Sequence, residues 1–188
     1  MIRIISGKYK GRRIKAPKKL PVRPTTDMAK EALFNILRHQ FHFSGVRALD
    51  LFAGTGNISY ELASRGCPDI TAVDGNHHCI RFIQETAQSF DFPIQTVKSD
   101  VYSFMSRTHH QGYDIVFADP PYDFELEAFE KIATLCFEHQ LLSDQGLLVI
   151  EHSKHTKLDH LPYFEDTRHY GGNAFSFFSP DATDDSEE

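Results

Sequence analysis

Ala48-Leu49-Asp50-Leu51-Phe52-Ala53-Gly54-Thr55-Gly56-Asn57 decides the fold. A nearly continuous apolar run that stops at two glycines and passes into helical spacing reads as a buried strand turning sharply into a covering helix. The rhythm then repeats. Strands are expected at 47–52, 70–74, 94–98, 113–118 and 146–151, and helices at 57–65, 76–90, 101–107 and 125–139. Such alternation predicts the α/β class, a doubly wound and mostly parallel sheet. The stretch 162–179 reads as strands around Gly171-Gly172-Asn173, adding antiparallel pairing at one edge.

Upstream, residues 1–20 read as a short hairpin, with Arg3-Ile4-Ile5 and Arg12-Arg13-Ile14 flanking a turn through Gly7 and Gly11. A helix follows from about Asp27 to Phe43, capped by Thr25 or Thr26, with Met28, Leu33, Ile36, Leu37 and Phe41 as its apolar positions. The 188 residues are expected to form one domain over 1–180, with 1–24 as a basic extension and 181–188 as an acidic, disordered tail. Residues 1–24 carry nine basic side chains and no acid, whereas the last eight carry five acids and no base. The overall charge of −6 hides this asymmetry, which points the head at a polyanion, nucleic acid first. Lys8, Lys10, Arg12, Arg13, Lys18 and Lys19 are the candidate phosphate contacts.

No apolar run reaches the roughly 18 residues of a membrane span, and the N-terminus does not read as a signal peptide. Cys67, Cys79 and Cys136 are odd in number, scattered and without CxxC spacing, which fits reduced thiols in a cytoplasmic protein and not structural zinc. His77-His78 and His109-His110 lack ligand spacing and read as surface histidines, so no metal is expected.

Gly54 and Gly56 allow a ligand close to the backbone. A dinucleotide fingerprint needs glycine at 59, where Ser59 stands, and no phosphate-binding lysine follows the loop. The loop also begins with an acid, Asp50, which repels phosphate and favours an ammonium. That combination fits S-adenosylmethionine. Asp74, after the second strand of the series, suits the two ribose hydroxyls, and equally suits a helix N-cap. Asp100, with Val101 after it, follows the third and suits the adenine amino group or, again, a cap.

Asp119-Pro120-Pro121-Tyr122 ends the strand 113–118. Asp and Pro are common in turns, yet this set suits the grip of a flat heterocycle bearing an NH2 group. Asp119 and the Pro120 carbonyl can accept both amine hydrogens, and Tyr122 can stack on the ring. In open α/β sheets ligands bind beyond the carboxyl ends of the strands, where all of these residues fall.

The chain resembles the bacterial 16S ribosomal RNA guanine-N2 methyltransferases, a branch of the class I S-adenosylmethionine-dependent enzymes. The resemblance runs to about residue 179. It rests on Arg3-Ile4-Ile5-Ser6-Gly7 with Gly11-Arg12-Arg13, Arg23-Pro24-Thr25-Thr26 leading to Ala32-Leu33-Phe34-Asn35-Ile36-Leu37, the 49–56 loop, Ser64-Arg65-Gly66, Asp119 to Tyr122, and Glu151-His152-Ser153. It implies a seven-stranded Rossmann-like sheet. Asp50, Phe52, Ala53, Gly54 and Gly56 would cradle the methionyl group, Asp74 would hold the ribose, and the 23–35 segment would close over the cofactor through Thr25 and Asn35. Asp119 to Tyr122 would hold a flipped guanine of 16S rRNA, the substrate being naked RNA or a small-subunit particle and the enzyme a monomer. Thr55 stands where serine is usual, Asp74 for the commoner glutamate and Thr86 where asparagine is frequent. An N6-adenine methyltransferase and a non-catalytic RNA-binding relative are the rival readings.

Overall fold

The computed structural model describes residues 1–22 and 25–182. Arg23, Pro24 and residues 183–188, with most of the expected acidic tail, lie outside the described residues. Two compact units make up the chain, Met1–Val101 and Tyr102–Glu188.

In the first unit a small hairpin of β1 (Ile2–Arg3) and β2 (Arg13–Ile14) pairs Ile2 with Ile14. Then come α1 (Asp27–Gln40), a single 3-10 turn at Phe43–Gly45, β3 (Arg47–Leu51), α2 (Asn57–Ser64), β4 (Asp69–Asp74), α3 (His77–Phe90) and β5 (Ile94–Lys98). β4 pairs in parallel with β3 and with β5, placing Leu49 beside Thr71 and Thr71 beside Gln95. β3 is buried from Ala48 to Leu51, as its unbroken apolar run requires, and β5 is more exposed. α3 packs on β4 and β5, and α2 on β4.

Helix α2 is buried on nearly every side although it carries Asn57, Ser59, Glu61 and Ser64. The basic head is what covers it. Lys8 N–H donates to the Ser64 carbonyl at 2.8 Å and Tyr9 N–H to Ser64 Oγ at 3.0 Å, while Ser64 Oγ–H donates to the Ser6 carbonyl at 2.7 Å. The approach is so close that a Cβ on Gly7, whose φ is +88°, would lie 1.9 Å from the Ser64 carbonyl oxygen. Glu61 accepts the Ile5 N–H at 2.7 Å and the Ser6 N–H at 3.2 Å.

Lys30 completes this seam. Fully buried on α1, its ammonium donates to the Arg3 carbonyl at 2.6 Å and to Asn57 Oδ1 at 2.8 Å, with Glu61 Oε1 3.6 Å away. Arg65 adds a second cation, 3.2 Å from Glu61 Oε2. The buried stripe of α1 is therefore Ala29, Lys30, Leu33, Phe34 and Leu37, and Met28 points outward at 65% exposure, contrary to its expected core position. Thr26 is the N-cap, its Oγ1 accepting the Ala29 N–H.

The second unit holds most of α4 (Val101–Arg107), then β6 (Tyr113–Ala118), α5 (Leu126–Glu138), β7 (Leu142–Ser153), β8 (Phe164–Tyr170) and β9 (Asn173–Phe178). β6 and β7 are parallel, and β9 pairs antiparallel with both β7 and β8. β7 begins earlier than expected, at Leu142, because the register with β6 shifts between Tyr113↔Leu142 and Ile115↔Leu147. In all, β3 to β9 make a seven-stranded, mostly parallel sheet with flanking helices, the predicted α/β class. No helix among the described residues is long and apolar enough to cross a membrane.

Candidate active site

The loop after β3 is built from alternating left-handed residues: Phe52 at φ 56°, Gly54 at φ 58° and Gly56 at φ 86°. For glycine this costs little, but for phenylalanine it is strain of the kind found at functional loops, about 1–3 kcal/mol. Ala53 N–H donates to the Val73 carbonyl at 3.0 Å and so ties the loop to β4. Gly56 serves as N-cap of α2, and a side chain there is excluded: its Cβ would lie 2.6 Å from Tyr60 Cζ. A Cβ on Gly54 would meet Val22 at 3.1 Å, so the end of the head reaches this loop.

Asp74 is the loop's second anchor. Its Oδ2 accepts the Gly54 N–H at 2.9 Å and its Oδ1 accepts the Asn76 N–H at 2.8 Å. The capping alternative for Asp74 falls to Asn76, whose Oδ1 accepts the amides of His78 and Cys79 at the start of α3. Asp74 stays half-buried beside the loop, and each carboxylate oxygen keeps a further lone pair with which to receive a hydroxyl.

Asp50 lies beneath the loop. It is 1% exposed, and its Oδ2 accepts the Ser59 hydroxyl at 2.6 Å, binding β3 to α2 beneath the loop. Burial pushes its carboxyl up to about 7; the Ser59 hydroxyl and amide pull the other way, and the Asp74 charge adds to the rise. Ser59, noted in the sequence only for not being glycine, is thus the partner that makes a buried acid tolerable.

Thr25 is buried, its carbonyl accepting Asn57 Nδ2–H at 3.3 Å, whereas Asn35 is exposed about two turns along α1. Asp100 is exposed after β5, and Val101 is buried at the start of α4. The six candidate phosphate contacts of the head are all exposed. Lys8 Nζ stands 5.4 Å from the Tyr9 ring centroid and Arg12 Cζ 5.5 Å from that of Phe90, a cation–π approach in each case.

In the second unit Asp119 is half-buried at the end of β6, Pro120 is buried and Pro121 exposed. Phe124 N–H donates to the Pro121 carbonyl at 3.2 Å, closing the turn. Tyr122 is 40% exposed, yet it is not loose: its hydroxyl donates to Asn173 Oδ1. Asn173 Nδ2–H in turn donates at 3.1 Å to Glu151 Oε1, and Glu151 is 1% exposed on β7. A buried acid thus orients an amide that holds an exposed aromatic ring. Asn173 reads in the sequence only as a hairpin-turn residue. Next to Glu151, His152 is buried between Ser153 and Ser176, and burial lowers its pKa.

His109 stacks on His139 at 4.2 Å, and His77 and His78 are exposed. Among the described residues no three His, Cys, Asp or Glu side chains gather as a metal would require.

Residues 2–179 match the family described as conserved hypothetical protein 95. The Ribosomal RNA small subunit methyltransferase D of Escherichia coli (strain K12) is 31% identical over 162 residues, spanning 86% of this chain and 79% of its own. A solved structure from Thermus thermophilus, described as a hypothetical protein, superposes with a TM-score of 0.82 at 28% identity, covering 95% of this chain and 99% of that one. The 16S rRNA N2 methyltransferase of Thermus thermophilus, solved with AdoMet and guanosine, gives a TM-score of 0.65 at 21% identity over 85% of this chain and 45% of its own. That last likeness is one of fold, the fold of class I methyltransferases.

Proposed function

The chain belongs to the conserved hypothetical protein 95 family, and from that membership and the geometry above we propose that it methylates the exocyclic N2 of a guanine in small-subunit 16S rRNA, using S-adenosylmethionine. The observation that carries the reading is the Asp119-Pro120-Pro121-Tyr122 turn, with its carboxylate at a strand end and its exposed ring clamped by Asn173. The small-subunit RNA enters from the relative in Escherichia coli, named for that substrate.

The cofactor fits the first unit. Its sulfonium supplies an electrophilic methyl group, so no metal is needed. Gly54 and Gly56 hold left-handed turns packed against Val22 and Tyr60 that a side chain would disrupt, and a loop with Asp50 beneath it and Asp74 beside it accepts an ammonium better than a diphosphate. Asp74 would receive the ribose hydroxyls, Asp100 and Val101 would border the adenine, and Phe52, Ala53 and Thr25 would line the methionyl end. Asp50 acts from below, holding the loop through Ser59 and contributing negative potential. Asn35 stays a weaker candidate because it is exposed on α1.

The second unit handles the acceptor. An aromatic amine is a poor nucleophile because its lone pair is delocalised into the ring. Hydrogen bonds from its two hydrogens to Asp119 and the Pro120 carbonyl favour the geometry in which the lone pair attacks carbon. The nitrogen then carries one proton too many, which leaves to Asp119 or to water. A stacked base cannot present its amine, so the guanine must be flipped or unpaired. Stacking on Tyr122 offsets part of that cost, about 1–3 kcal/mol for one base. The basic head holds the phosphates, in the cytoplasm, with a monomer acting on an assembling or assembled small subunit.

Asp119→Ala separates the roles. The expected result is loss of turnover by several orders of magnitude with the dissociation constant for S-adenosylmethionine nearly unchanged. Near-normal turnover would remove Asp119 from the chemistry.

A further inference from the structure

A cavity of about 510 Å³ opens in the first unit between residues 17–21 and the first half of α3. Leu20, Pro21 and Phe82 form its apolar wall, and Lys19, His78 and Arg81 stand on its rim. Its size is that of a small-ligand site, and beside His78 its lining carries two cations, Lys19 and Arg81, with the Glu85 carboxylate. The head runs along the whole of α3, with Arg12 over Phe90 at the C-terminal end and Lys19 by Asn76 at the N-terminal end. Fourteen residues of helix span about 21 Å. Arg12 and Lys19 thus mark the two ends of α3, and the cavity lies at the end where Asn76 N–H meets Asp74.

We infer that this groove holds a single-stranded stretch of the substrate RNA, with Lys19 and Arg81 on its phosphates and Phe82 against a base or ribose. The inference rests on the reading of the chain as an RNA methyltransferase and adds residues outside the head to its RNA surface. Basic rim and apolar wall together suit nucleic acid, whose backbone is anionic and whose bases offer flat faces. Arg81 is paired with Glu85 at 3.0 Å, both side chains more than 60% exposed. Such a pair exchanges readily, so a phosphate displaces Glu85 from the guanidinium. Glu85 is then a competitor built into the groove, and its removal has the opposite sign from removal of Arg81.

Filter binding of naked 16S RNA, from cells lacking this gene, is measured between 50 and 200 mM KCl for wild type, Arg81→Ala, Glu85→Gln and Lys10→Ala. Arg81→Ala is expected to weaken binding about three- to tenfold and to reduce the salt slope by about 0.7. Glu85→Gln is expected to tighten binding severalfold, with melting temperature and S-adenosylmethionine affinity unchanged in both. If Lys10→Ala weakens binding while Arg81→Ala and Glu85→Gln leave it alone, RNA does not use this groove, and the methyltransferase reading survives. If wild type shows no salt-dependent affinity for naked 16S RNA or for small subunits, the substrate reading falls as well.

Discussion

Asp50→Asn should stabilise this protein and impair it. The carboxyl is fully buried, and burial raises its pKa from 3.8 to about 7. Between those values the folded state holds a proton that the unfolded chain releases, so folding stability falls as pH rises through the window. Above pH 7 the folded protein must keep a buried anion. At 1.36 kcal/mol per pKa unit, the wild type loses roughly 2–3 kcal/mol between pH 5 and pH 8 through this one group. Asparagine has nearly the same shape, keeps an oxygen to accept the Ser59 hydroxyl at the 2.6 Å position, and does not titrate. Urea denaturation of both proteins from pH 5 to pH 8 gives the test. Other titrating groups, His152 among them, cancel in the difference. The variant's advantage should grow with pH by that 2–3 kcal/mol, while its affinity for S-adenosylmethionine drops with the loss of negative potential under the loop. A difference that stays flat across this range would refute the reasoning, because Asp50 would then be ionised throughout.

Lys30→Met leaves the Arg3 carbonyl and Asn57 Oδ1 without their ammonium donor and Glu61 with Arg65 as its remaining cation, so it should cost about 2–5 kcal/mol and lower the melting temperature by roughly 4–20 °C, read by calorimetry. The double variant Lys30→Met/Glu61→Leu should not recover the loss, because Ile5 and Ser6 then lose their acceptor. Gly56→Ala places a Cβ at φ 86° and against Tyr60; cofactor affinity by isothermal titration should fall at least tenfold. Asn173→Ala removes the acceptor of the Tyr122 hydroxyl, and steady-state assays should show a raised KM for RNA with cofactor affinity intact. Asn173→Asp should do worse, since its carboxylate would face Glu151.

Where a segment's signal was local, the sequence placed it within a residue or two. The run 113–118 is bounded by Gly112 and Asp119 and is β6 to the residue; α4 at 101–107 agrees as well. The same holds for the glycine loop, whose turn chemistry lies in consecutive residues. What stayed hidden was pairing at a distance. Lys30 occupies the core face in place of Met28 because Glu61 and Asn57, about thirty residues away, satisfy its charge. A helical period cannot show that. Asn173 and Tyr122 are 51 positions apart, and only the β7–β9 pairing brings Asn173 beside Glu151. The early start of β7 was masked by Ser143, Asp144 and Gln145, polar residues that interrupt the apolar pattern where the register slips. Asp74 was ambiguous because aspartate both caps helices and binds hydroxyls; Asn76, two residues on, takes the cap.

The central claim is tested most directly by the identity of the methylated nucleoside. Tritiated S-adenosylmethionine is incubated with the protein and, separately, naked 16S RNA, small ribosomal subunits and DNA, all from cells lacking this gene, and the products are digested to nucleosides. The account predicts label in N2-methylguanosine from small-subunit RNA, absent with Asp119→Ala. Label in N6-methyladenine would contradict the acceptor while keeping the fold, and no transfer to any of them despite cofactor binding would contradict the account.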